Sequence, residues 1–188
     1  MSLRHDAWRA CPGHRFRRIK LLPTDVTVRL ATLADVSEIA DMSRALIETG
    51  LGWTWTRERV GRNIASPNTV TVVACDLERV VGFAIMYFGD DHAHLSLLAV
   101  RRSYQHTGIG RHLVRWLEES ALVAGIATIR LELRAGNRAA RRFYERLGFA
   151  EVGRIPDYYA GVETAVRMAR DIRRAQSGPL PDVRSLLR

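Results

Sequence analysis

Residues 104–113, YQHTGIGRHL, set Gly108 and Gly110 between an apolar strand-like run, AHLSLLAV (93–100), and an apolar helix-like run. Glycines at such a junction mean that something comes close to the backbone: phosphates, a neighbouring helix, or the chain itself in a tight turn. Two nucleotide signatures fail on the next residues. A Walker A loop needs Lys-Ser/Thr where Arg111 and His112 stand, and a dinucleotide fingerprint needs a small residue where Leu113 stands. What remains is Gln105-x-x-Gly108-x-Gly110, following a strand and opening a helix, where free N–H groups can converge on an anion.

Outward from the loop the pattern stays regular. Downstream, Ile109, Leu113, Leu117, Ala121 and Ala124 line one helix face that Gly125 can end. TIRLELR (128–134) alternates as a strand, and Asn137 is a suitable N-cap for a helix carrying Ala140, Phe143, Tyr144 and Leu147. Gly148 supplies a left-handed C-terminal position, and strands follow at AEVGRI (150–155) and TAVRMAR (164–170). Upstream, VTVRLA (26–31) reads as a strand and LADVSEIADMSRALIE as a helix using Leu33, Val36, Ile39, Ala40, Leu46 and Ile47. A weaker helix follows Thr56, and 69–75 with 79–88 form a hairpin. The order β-α-α-β-β-β-α-β-α-β-β predicts an α/β fold: a mixed, largely antiparallel sheet flanked by helices.

The chain has 188 residues, enough for one full core, with 47% hydrophobic and 26% charged residues, the balance of a globular domain. Residues 1–24 read as a basic, mobile arm, 25–171 as the folded domain, and 172–188 as a C-terminal extension with its SGPLPD stretch. His5, Cys11 and His14 match no complete metal-ligand set, so no metal is expected. Two cysteines, no membrane-length apolar run and no secretory h-region make the cytoplasm the expected location. The net charge is +9, and between Arg101 and Arg146 ten arginines face four acids. That excess suits a nucleic acid or a small polyanion such as a nucleotide cofactor.

The segments LLAVRRSYQHTGIGRHLV, LELRAGN and AARRFYERLGF together resemble the GNAT superfamily of acyl-CoA-dependent N-acetyltransferases, over residues 26–170. Their nearest likeness is to the ribosomal-protein N-terminal alanine acetyltransferases. The resemblance implies a sheet splayed at a cofactor cleft, with acetyl-CoA as cosubstrate. Backbone groups of Leu98, Ala99 and Val100 would bind pantetheine if their strand is bulged. Gln105, His106, Thr107, Gly108, Ile109, Gly110 and Arg111 would surround the pyrophosphate, and Asn137 would touch the cofactor, cap its helix, or both.

The resemblance also makes Glu132 the general base and Tyr144 the proton donor to the departing thiolate. On the residues alone, Glu132 reads equally as an ion-pair partner of Arg130 or Arg134, and Tyr144 as a core aromatic. Trp53, Trp55, Tyr158 and Tyr159 are candidates for an acceptor groove, and Asp76, Asp90 and Asp91 for attracting a cation. The expected partners are acetyl-CoA and an amine, either a protein N-terminus or a small amine; a homodimer is allowed, a membrane is not expected, and nucleic acid rests on charge and the arm alone. A non-catalytic acyl-CoA-binding regulatory module is the alternative, and it would need neither Glu132 nor Tyr144.

Overall fold

The structure, a computed structural model, describes residues 17–21 and 24–173, with side chains from residue 26 onward. The elements in chain order are β1 (Arg17–Leu21), β2 (Thr24–Leu30), α1 (Val36–Leu46), α2 (Arg57–Ala65), β3 (Thr69–Asp76), β4 (Arg79–Phe88) and β5 (Ala93–Val100), then α3 (Ile109–Val123), β6 (Thr128–Arg134), α4 (Arg138–Arg146), β7 (Ala150–Tyr159) and β8 (Glu163–Asp171). The eight strands form one sheet in the order β1-β2-β3-β4-β5-β6-β8-β7. Every neighbouring pair is antiparallel except β5 and β6.

Both sheet faces are covered. One carries α3 and α4, where Ile109, Leu113 and Leu117 pack with Val72, Ala84, Leu131 and Met168. The other carries α1 and α2, where Ile39, Met42 and Val60 pack with Val73, Phe83 and Ile85. The central strands are accordingly buried on both sides: β3 and β4 are near-continuous apolar runs rather than alternating ones.

β5 changes faces partway along. Leu95 pairs with Met86 but Leu97 pairs with Ile85, so Ser96 is an extra residue, a β-bulge. Before the bulge Ala93 and Leu95 belong to the α3 side. After it Leu97 and Ala99 belong to the α1 side, and Leu98 and Val100 turn to α3. The parallel ladder between β5 and β6 contains only Ala93↔Ile129 and His94↔Arg130, after which the strands part. The expected splay lies there.

Three boundaries are corrected. Arg17–Leu21, expected in the basic arm of residues 1–24, pairs with β2 as an edge strand; Ile19 and Leu21 alternate with Arg18 and Lys20 at the strand period of two. Ile172, expected in the extension 172–188, is buried in the core and donates its N–H to Ala127 O. Leu33, expected on the helix face, is 66% exposed because a 3₁₀ turn, closed by Thr32 and Asp35, precedes α1. The His5, Cys11 and His14 group lies outside the described residues.

Candidate active site

The cleft lies between the end of β5, the loop into α3 and helix α4, on the stretch of β5 that has left β6. Its volume is about 450 Å³. Of the residues expected around a cofactor, Leu98, Ala99, Val100, Gln105, His106, Gly108, Ile109, Gly110, Arg111 and Asn137 line it, as does Tyr144. Thr107 does not; its hydroxyl donates to Tyr104 O at 2.6 Å and fixes the turn. Glu132 also lies outside the lining.

Each glycine of the loop has its own reason. Gly108 is the N-cap of α3 with φ +92°, a left-handed conformation natural to glycine. A Cβ on Gly110 would stand 3.3 Å from Phe143 of α4, so this glycine lets the two helices approach. His106 also has positive φ, +65°. Gln105 Nε2 donates to Val100 O at 3.1 Å, tying the loop to the end of β5. No side chain caps α3, so the N–H groups of its first turn remain free for a ligand. Arg111 in that first turn opposes the helix dipole, a cost that an anion at the same point removes.

Asn137 caps α4 through its Oδ1, which accepts from Ala140 N at 3.0 Å, and it also lines the cleft. Tyr144 is buried between Phe143 and Phe149, edge to face at 5.0 and 5.5 Å. Burial, reinforced by nearby Tyr159, raises its phenol pKa and keeps it protonated. The helix ends as expected at Gly148, φ +87°, with Phe149 N–H donating to Tyr144 O.

Glu132 pairs with neither Arg130 nor Arg134. Its carboxylate accepts from His94 Nε2 at 2.5 Å and from Arg167 Nε at 2.7 Å, while Arg134 binds Glu163 and Thr49 O. The His94 bond, followed by the Arg167 bond, outweighs burial and lowers its pKa to about 2. His94 and Arg167 were not singled out from the sequence; the legible signal was the polar His94-x-Ser96 alternation beside a strand carrying Glu132.

Trp53 and Trp55 are built into a second structure, while Tyr158 and Tyr159 stand edge to face at the end of β7, 5.0 Å apart. Glu48, buried, accepts from Ser43, Thr54 and Trp55, folding residues 49–56 over α1. Arg44 covers Trp53 and Arg59 covers Trp55, at 5.1 and 4.2 Å from the ring centroids. Asp76 accepts from the Tyr104 hydroxyl at 2.7 Å, an engagement that argues against a role in attracting a cation. Among the described residues no group of three His, Cys, Asp or Glu could hold a metal ion, and no helix is long and apolar enough to cross a membrane.

A mixed sheet opened between two parallel strands, with an anion-ready glycine loop at its mouth, is an acyltransferase architecture. The chain belongs to the acetyltransferase (GNAT) family, whose profile matches residues 39–149, and is thus an acetyl-CoA-dependent acetyltransferase. It is 36% identical over 115 residues to an uncharacterised N-acetyltransferase of Methanocaldococcus jannaschii, covering 61% of this chain and 72% of the relative. It is 40% identical over 97 residues to the ribosomal protein bS18-alanine N-acetyltransferase of Escherichia coli strain K12, covering 50% of this chain and 66% of that enzyme, just under two thirds. The crystal structure of the Escherichia coli ribosomal-protein-S18-alanine N-acetyltransferase superposes with a TM-score of 0.68 at 29% identity, covering 78% of this chain and 94% of that one.

Proposed function

We propose that the protein transfers the acetyl group of acetyl-CoA to a primary amine by direct attack in a ternary complex, with a protein or peptide N-terminus as the first acceptor class to test. The supporting observation is the divergence of β5 from β6, with Tyr144 and the uncapped N–H groups of α3 lining the cleft beside the end of β5. In this reading the pyrophosphate meets residues 105–111, and Arg111 adds charge. Pantetheine runs along Leu98–Val100, downstream of the bulge at Ser96, where β5 still pairs with β4 but no longer with β6. Tyr144 donates to the departing thiolate. Burial keeps its phenol protonated, so it has a hydrogen to offer the departing thiolate, whose conjugate acid has an ordinary pKa of about 8.5. The likeness to alanine N-acetyltransferases favours a peptide beginning with alanine, and a small amine is the second class.

The deciding experiment is release of CoA thiol with alanyl peptides, polyamines and aminoglycosides as acceptors. Saturable acetylation of an alanyl peptide is expected. Tyr144→Phe, which keeps the ring packing, should bind acetyl-CoA normally and lose about 10²–10⁴-fold in single-turnover rate. Tight acetyl-CoA binding with every amine inert would instead support the non-catalytic binding module, and an undiminished Tyr144→Phe rate would return Tyr144 to a packing role.

A further inference from the structure

The side of the sheet away from α3 and α4 carries a connected polar group at the point of the V. Ile129, Leu131 and Leu133 of β6 pack in the α3 cluster, so Glu132 projects from the opposite face. His94 and Ser96 project the same way from β5, because Ala93 and Leu95 occupy the α3 side before the bulge. His94 is also the last β5 residue in register with β6. It therefore stands where the two strands begin to part.

Resting on the amine-acetylation reading above, we propose that His94 takes the proton from the acceptor ammonium and that Glu132 is a positioning residue that fixes the imidazole. An ionised carboxylate only accepts hydrogen bonds, so the 2.5 Å contact puts the hydrogen on His94 Nε2. Nδ1 then presents its lone pair, which faces Ser96 Oγ at 3.3 Å, a long bond that an ammonium donor can replace. The His94 side chain is 33% exposed and that of Glu132 only 8%, so a substrate reaches the imidazole before the carboxylate. Both Glu132 oxygens are moreover already engaged, by His94 and Arg167. The other charged or titratable groups around the pair are Arg130 on β6, His92 and Asp91 before β5, and Tyr159 on β7.

The step balances as follows. The ammonium gives one proton to Nδ1, leaving a neutral amine and an imidazolium beside the Glu132 carboxylate. The amine nitrogen bonds to the acetyl carbon, the C–S bond breaks with its electron pair on sulfur, and the thiolate takes the Tyr144 proton. The second nitrogen proton restores Tyr144, and His94 releases its proton to solvent.

The test uses the full chain, acetyl-CoA and the panel amine that turns over fastest. His94→Gln keeps an N–H toward Glu132 but has no basic lone pair; its single-turnover rate should fall about 10²–10⁴-fold with acetyl-CoA affinity unchanged, which also reports folding. His94→Ala should regain at least about tenfold on adding imidazole, since the vacated site admits a free base. Glu132→Gln should keep the ascending limb of the kcat/KM profile, because the imidazole that accepts the proton is still present. A His94→Gln rate within about threefold of wild type, or a His94→Ala that ignores imidazole while Glu132→Gln abolishes the limb, would overturn the assignment and leave Glu132 as base. Wild type inert on every amine overturns the acetyl-transfer reading first and this assignment with it; variant failures on an active wild type touch His94 alone.

Discussion

Glu132 retains its charge into strong acid because the His94 ring and the Arg167 guanidinium both donate hydrogen bonds to it. Its folded pKa of about 2 lies below the ordinary 4.5. The unfolded chain therefore binds the proton first as pH drops, so Glu132 stabilises the fold above pH 4.5 and loses that contribution as pH falls through about 2. The gap in urea midpoint between wild type and Glu132→Gln should accordingly narrow between those two pH values; a constant gap would mean that the ion cluster contributes nothing in the folded state. The cap at Asn137 and the packing of Tyr144 were legible in the sequence because α4 has a strong periodicity and a capping residue at its head, whereas a catalytic part for Tyr144 came only from the family resemblance. The His94 contact was not legible, since it spans 38 positions and depends on which face of β5 points away from α3.

Helix α3 and its loop show how two glycines two positions apart answer different demands. Gly108 supplies a backbone conformation and Gly110 supplies room for α4. The spacing made the loop visible, while the second demand required the packing. Gly108→Val should weaken acetyl-CoA binding at least about tenfold, because a branched side chain crowds the uncapped N–H groups as well as straining φ. Gly125→Val is the control: it has φ +79° with nothing within 4 Å, so it carries strain without touching the cleft. Calorimetry giving both folded variants wild-type affinity would remove the phosphates from this loop. The β5 bulge illustrates the opposite case. AHLSLLAV alternates in burial throughout, although its residue types alternate only as far as Leu97, so neither pattern reveals that the buried positions change sheet face at Ser96. Arg17–Leu21 was hidden by composition, since its arginines and lysine read as an arm although an edge strand tolerates them well.

Across the chain, the order of elements from β2 to β8 followed from periodicity, and the antiparallel pairing of β3 with β4 followed from the short turn between them. The exchange of β7 and β8 at the far edge did not, because strand order depends on contacts remote in sequence. Nor did the extent of the β5–β6 ladder, which ends after two residue pairs. That brevity makes the sheet two plates, β1 to β5 and β6 with β8 and β7, joined along a short backbone seam and otherwise by side chains beneath it. Without cofactor the plates should breathe: deuterium should enter the amides of Leu97–Val100 and Leu131–Arg134 before those of β3 and β4. Acetyl-CoA at about a hundred times its Kd should slow that entry and stabilise the fold by about 2.7 kcal/mol. Uniform deuterium uptake across all four strands, with or without ligand, would mean that the seam is stiffer than its two pairs suggest. With exchange slowed by ligand, the small molecule to be consumed doubles, between turnovers, as a clasp that holds the two plates together.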